Sequence, residues 1–66
     1  MRYIVVTADY RPNNEKKPTY CYHTEMGAAW VWSWFERTYP WLKVYDAREV
    51  PEKDLSEGQR KWAQRL

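Results

Sequence analysis

Tryptophan is concentrated in one short segment of this chain, and that concentration limits what the chain can fold into. Four of the five tryptophans lie between Ala28 and Trp41, in the stretch AAWVWSWFERTYPW. A helix with 3.6 residues per turn places Trp30 and Trp34 on one face and Trp32 on another. A chain of 66 residues has too small a core to bury both faces. We therefore expect part of this aromatic surface to lie outside the core and to bind a partner.

The length permits one small domain, residues 1–66, and large side chains must stabilise it. A domain of this size buries only about 60% of the surface that its unfolded chain exposes. Cys21 is the sole cysteine, so a disulfide within the chain is excluded. Cys21 and His23 are the only soft metal ligands, whereas a closed zinc site needs about four, so we expect no metal and no cofactor. The five Trp, six Tyr and one Phe are the expected stabilisers.

Charge and hydropathy exclude some classes of protein. The net charge is +2 with acidic and basic residues interspersed, which does not by itself indicate a nucleic-acid partner. No apolar run approaches the roughly 20 residues that span a bilayer. A single unpaired cysteine fits a reducing compartment. We predict a cytoplasmic protein without membrane association.

Apolar alternation predicts three strands. The first covers residues 2–10, the second 19–23 and the third 41–50, and Pro51 ends the third. The polar stretch RPNNEKKP (11–18) connects the first two strands. The residues expected to face a helix are Ile4, Val6, Ala8, Leu42 and Val44. Either side of the second strand fits the core equally well.

Two helices are predicted. Thr24 is the expected N-cap of the first helix, which runs to about Thr38 because Pro40 stops it. Asp54 and Glu57 form a pattern like a capping box, which predicts a second helix through the C-terminal sequence GQRKWAQRL. The predicted order is β-β-α-β-α, an α+β fold with an antiparallel three-stranded sheet in the order 2-1-3. One face of this sheet is covered by the tryptophan-rich helix, and the other is open.

The first helix carries two apolar stripes. The core stripe contains Ala28, Val31, Trp32, Phe35 and Tyr39. Nearly opposite lie Met26, Trp30 and Trp34, flanked by Arg37. Two interpretations remain open. The C-terminal helix covers this second stripe with its own narrow stripe of Leu55, Trp62 and Leu66, or the second stripe is a partner-binding surface. Partial cover, with one tryptophan of the pair accessible, is our prediction.

If the second stripe binds a partner, cations of the C-terminal helix are candidates for its rim. These residues are Arg60, Lys61 and Arg65. Tryptophan, methionine and arginine are enriched in the centres of protein interfaces. A two-fold dimer would bury the same surface without a foreign partner, so both a monomer and a homodimer remain open.

The open face of the sheet is a second candidate surface. Its expected members are Tyr3, Tyr20, Tyr22, Trp41, Lys43 and Tyr45. Aromatic rings beside a lysine on an exposed sheet are typical of platforms that stack single-stranded nucleic acid. Cross-strand aromatic pairs also stabilise thin sheets without any further function.

Catalytic chemistry has little support in the sequence. Cys21 and His23 lie two residues apart on a strand, about 7 Å from each other, which exceeds the reach of a nucleophile and its base. Gly27 and Gly58 are the only glycines, so no glycine-rich phosphate loop exists. We predict that the protein is not an enzyme.

The segments RYIVVTADY, AAWVWSWFERTYP and LKVYDAREV give a short, aromatic β-β-α-β chain. In size, element order and composition it resembles small bacteriophage-encoded inhibitors, namely anti-CRISPR proteins and the short phage inhibitor of host RNA polymerase. The resemblance implies a non-enzymatic protein that blocks a host nucleoprotein complex in the host cytoplasm. Many such inhibitors are acidic DNA mimics, whereas this chain is slightly basic. The leading hypothesis is inhibition through an aromatic protein–protein interface, and the alternatives are nucleic-acid binding and self-association.

Overall fold

The computed structural model describes residues 1–10 and 18–66. The elements are β1 (Arg2–Tyr10), β2 (Thr19–Thr24), α1 (Ala28–Thr38), β3 (Leu42–Val50), a 3-10 turn (Glu52–Asp54), α2 (Glu57–Trp62) and β4 (Gln64–Arg65). The connection predicted at 11–18 lies outside the described residues, apart from Pro18. Within the described ranges no helix has both the length and the apolar character needed to cross a bilayer.

The sheet has four strands in the order β3-β1-β2-β4. β1 is antiparallel to both β2 and β3, so the α+β class and the order 2-1-3 of the predicted strands are confirmed. The prediction of a three-stranded, wholly antiparallel sheet is wrong, because a fourth strand makes the sheet mixed. β4 was not predicted. It pairs in parallel with β2, with Gln64 opposite Tyr22 and Arg65 opposite His23.

The core lies between the sheet and α1. Ile4, Val6 and Ala8 of β1 are fully buried, as their alternation predicted, and they form one cluster with Val31 and Phe35 of α1. Each large aliphatic or aromatic side chain buried in this way contributes about 1.5–3 kcal/mol. This cluster fixes the position of α1 on the sheet, and thereby the direction of its outer face.

A β-bulge interrupts the pairing of β1 with β3. Thr7 lies opposite Asp46 and Ala8 lies opposite Val44, so Tyr45 is the extra residue. A bulge bends the strand and restarts its alternation. The core face of β3 therefore continues beyond the bulge at Ala47, a change that a strict two-residue period does not predict.

The tyrosines of β2 face the core. Tyr22 is buried, Tyr20 packs against the core cluster, and the ring of Tyr20 lies 5.3 Å from that of Phe35. The prediction that Tyr20 and Tyr22 join the open face is wrong, because these large rings fill the space between the sheet and a short helix. Cys21 and His23, together with Thr19, occupy the opposite side.

α1 begins later than predicted. Gly27 is its N-cap, and the buried Thr24 hydroxyl instead accepts a hydrogen bond of 3.0 Å from the Met26 N–H. Thr24 therefore holds the turn that leads into the helix rather than the helix itself. The C-terminal end at Thr38 agrees with the prediction.

The prediction of a long C-terminal helix is wrong. α2 has six residues, and its capping box joins Ser56 and Gln59 by hydrogen bonds of 3.1 and 3.0 Å instead of using Asp54 and Glu57. The chain then extends into β4, where the Leu66 N–H donates to the His23 carbonyl at 3.1 Å. Pairing with β2 supplies backbone hydrogen-bond partners for these last residues, which the predicted helix would have paired within itself.

The predicted C-terminal stripe is consequently absent. Leu55 is buried but precedes α2, Leu66 follows β4, and Trp62 is 74% exposed. α2 packs against β2. The aromatic rings around Trp34 come from β2, from α1 itself and from the residue after α1. These elements, and not the predicted C-terminal helix, cover Trp34.

Candidate aromatic binding surface

Trp30 and Trp34 are the centre of the surface predicted on the outer side of α1. Their rings are parallel within 8°, with centroids 6.5 Å apart. Trp30 is 40% exposed, whereas Trp34 is half-buried and packs against the core cluster. The prediction that one tryptophan of the pair stays accessible agrees with this difference, but the placement of Trp34 nearly opposite the core stripe is wrong. Trp34 lies only about 60° around the helix from the fully buried Val31, because it follows that residue by three positions.

Two tyrosines hold Trp34 in place. Tyr22 of β2 meets it edge-on with centroids 5.3 Å apart and planes at 79°. Tyr39, directly after α1, meets it edge-on at 6.1 Å and 89°. Edge-to-face pairs contribute about 0.5–1.5 kcal/mol beyond burial. Trp34 is thus a fixed support on which the exposed Trp30 ring stacks.

Further exposed apolar side chains lie just beyond both ends of α1. Met26 is 44% exposed just before the helix, and Trp41 is 56% exposed after it. Trp41 lies edge-on to Tyr39 at 5.7 Å. Arg37 is exposed and follows Trp30 by two turns, so it lies on the same side of the helix. We call the set Met26, Trp30, Trp34, Arg37 and Trp41 the aromatic face.

Tyr22 beneath the aromatic face is uncharged at neutral pH. Burial is the main cause that raises its pKa to about 12, and the neighbouring Tyr39 and Tyr20 add to the shift. The phenol therefore remains protonated where it packs against Trp34. The support of the aromatic face is neutral as well as rigid.

The cations proposed as a rim belong to other elements. Arg60 and Lys61 are exposed on α2, which packs against β2. Arg65 lies on β4 opposite His23, and its guanidinium is 3.9 Å from the Met1 sulfur. The structure places these three residues at the β2 side of the sheet and leaves Arg37 as the cation on α1, on the same side of the helix as Trp30.

The six residues predicted to form a nucleic-acid platform are not brought together. Tyr20 and Tyr22 face the core, and Trp41 belongs to the aromatic face. Of the others, Lys43 places its Nζ 5.1 Å from the centre of the Tyr45 ring. The last, Tyr3, stacks on the histidine opposite it in β2.

That histidine, His23, was missed as a member of the open face. Its ring lies 4.4 Å from that of Tyr3, with the planes within 5°. The two residues are directly opposite in the β1–β2 register. Predicting this pair requires the register of β1 against β2. That register depends on the length of the connection between the strands, so neither strand alone predicts it.

A groove between β2 and α2 was also missed. Its volume is about 340 Å³. It is lined by Thr19, Tyr20, Cys21, Tyr22, Ser56, Gly58, Gln59, Trp62 and Gln64. Burial raises the pKa of the Cys21 thiol. The Ser56–Gln59 capping pattern is the one sequence signal that could have placed the start of α2 and hence one wall of this groove.

Comparisons with protein-family models, with curated proteins and with solved structures found no match. The resemblance to small phage inhibitors therefore stays an expectation based on size, element order and composition.

Proposed function

We propose that this chain is a non-enzymatic binding protein that docks on a partner protein through the aromatic face. The observation that carries the proposal is the Trp30–Trp34 stack. Trp30 is 40% exposed, yet it lies against a ring that the core holds in place. A large side chain that is ordered before binding loses little conformational entropy when it docks.

The composition of the aromatic face supports a protein partner. Tryptophan, methionine and arginine are among the residue types enriched in protein interfaces, and tryptophan and arginine are frequent hot spots. Arg37 adds a cation beside exposed apolar rings, which favours a partner surface with an acidic or carbonyl-rich rim. Met26 and Trp41 extend the apolar area past both ends of α1.

The partner that we propose is a host nucleoprotein complex, blocked by a phage-encoded protein. This part of the proposal is supported by the resemblance in size, element order and composition. The net charge of +2 argues against mimicry of DNA.

Capture from a bacterial lysate with three matched proteins tests the proposal. Trp30→Ser removes the exposed ring, and Glu36→Ala changes an exposed position on another side of α1. We expect the wild type and Glu36→Ala to retain the same protein and Trp30→Ser to lose it, with all three proteins folded at the temperature of the capture as judged by circular dichroism. Equal retention by Trp30→Ser would contradict the proposal.

Light scattering with the same three proteins separates the self-association alternative. A concentration-dependent dimer that Trp30→Ser abolishes would mean that a second copy, and not a foreign protein, covers the aromatic face. A monomer at all concentrations agrees with the proposed foreign partner.

A further inference from the structure

Among residues 1–10 and 18–66, the outer edge of β2 is only half paired. The His23 carbonyl accepts a hydrogen bond from Leu66 of the β4 segment, so the backbone groups of His23 point away from β1. In an antiparallel ladder, alternate residues direct their backbone groups to the same side. Those of Cys21 and Thr19 therefore also point outward. Gln64 lies opposite Tyr22, and in a parallel ladder its N–H bonds the Cys21 carbonyl, so the Cys21 N–H and the Thr19 groups lie beyond β4.

The free part of this edge forms one wall of the groove between β2 and α2. Thr19 to Tyr22 line it on one side, and Gly58, Gln59 and Trp62 line it on the other. Its volume of about 340 Å³ is at the lower end of the range for ligand sites. The Cys21 N–H and the Thr19 C=O are spaced so that one residue of an added parallel strand can donate to the carbonyl and accept from the amide.

The two edges of the sheet differ in their protection. β3, at the opposite edge, carries a bulge and the charged residues Lys43, Arg48 and Glu49, which are features that prevent pairing with foreign strands. In β2, by contrast, Thr19, Tyr20 and Cys21 are uncharged and none of them is a proline. Thr19 to Cys21 of β2 therefore lack the charges and the bulge that protect β3, and the groove separates this part of the edge from α2.

The side chains of Trp62 and Lys61 at the border of the groove indicate the kind of ligand that it binds. Trp62 is 74% exposed at its border and offers a flat apolar surface. Lys61 places its Nζ 5.6 Å from the centre of the Trp62 ring. From the half-paired edge, the exposed indole and the adjacent cation, we infer that the groove binds an extended, acidic peptide segment of a partner protein by adding it to the sheet beside β2.

Peptide titration followed by amide NMR of the full chain tests this inference. The probe is the blocked peptide acetyl-Glu-Val-Phe-Val-amide. We expect saturable shifts of the Thr19, Cys21 and Gly58 amide signals. Methylation of the peptide nitrogen that donates to the Thr19 carbonyl removes one hydrogen bond, so it should weaken binding about tenfold. Peptides that are N-methylated at one position each identify that nitrogen. Replacing the Glu of the peptide by Lys tests the preference for an acidic ligand and should also weaken binding.

Two protein variants complete the test. Trp62→Ala should weaken binding about tenfold by removing the apolar surface, while Trp41→Ala, at another exposed indole, should leave it unchanged. Trp30→Ser should also leave it unchanged, which separates this inference from the proposed function. The inference is overturned if the Cys21 amide does not shift at millimolar peptide, or if every singly N-methylated peptide binds as well as the parent.

Discussion

The indole rings of Trp30 and Trp34 are parallel within 8° and 6.5 Å apart, although one is anchored in the core and the other is 40% exposed. This pairing predicts unequal effects of truncation. Trp34→Ala should lower the free energy of unfolding by about 2–4 kcal/mol, since a fully buried ring costs about 3–5 kcal/mol. Trp30→Ala should cost about 1 kcal/mol or less, because much of its ring already contacts water. Urea denaturation measures both, and equal losses would mean that Trp30 is a core residue.

The buried phenol of Tyr22 predicts a stability that falls at alkaline pH. Its pKa is raised from 10.0 to about 12 in the folded protein. The folded state therefore keeps the proton that the unfolded state releases, so stability is complete below pH 10 and is lost as the pH rises towards 12. Urea denaturation across this interval should show the decrease.

Tyr22→Phe is the variant that isolates the Tyr22 contribution. It removes the ionisable group and keeps the ring that packs against Trp34. The alkaline decrease in stability should become smaller in this variant. An unchanged slope would show that the decrease comes from other groups.

α2 should respond in opposite directions to two neighbouring substitutions. Ser56→Ala removes the hydroxyl that accepts from the Gln59 N–H, which should destabilise the helix by about 1 kcal/mol. Gly58→Ala should stabilise it by up to about 1 kcal/mol. The added methyl group meets nothing closer than the Ser56 Oγ at 4.0 Å. Hydrogen exchange of the α2 amides reports both effects, and a slower exchange in Ser56→Ala would contradict the capping role.

The fold was predictable where the spacing of apolar residues was compatible with a single buried face. The alternation of Ile4, Val6 and Ala8 identified the core face of β1, and Val31 and Phe35 identified the buried side of α1. These positions follow from a two-residue and a 3.6-residue period respectively.

Other features depend on tertiary structure and could not be predicted in this way. β2 is amphipathic in either orientation, and the choice of Tyr20 and Tyr22 for the core depends on the space that α1 leaves. β4 has only two residues, too few for any periodic signal. The bulge at Tyr45 depends on the pairing of β3 with β1 rather than on either strand alone.

The location of the aromatic face on the outer side of α1 was predictable, but the burial of its individual side chains was not. Helical spacing identified Trp30 and Arg37 on the outer side of α1. The half-buried position of Trp34 depends on the rings of Tyr22 and Tyr39, which come from outside the helix. The contribution of Trp41 depends on the turn that places it beside Tyr39.

Site-specific photo-cross-linking from position 30 tests the central claim most directly, namely that the aromatic face binds a partner protein. A benzophenone amino acid replaces Trp30 in one protein and Glu36 in a matched control, and both are irradiated in a bacterial lysate. We predict one discrete cross-linked protein from position 30, absent from position 36 and suppressed by an excess of unlabelled wild type. Identical cross-linking patterns from the two positions, or a position-30 product that excess wild type does not suppress, would contradict the account.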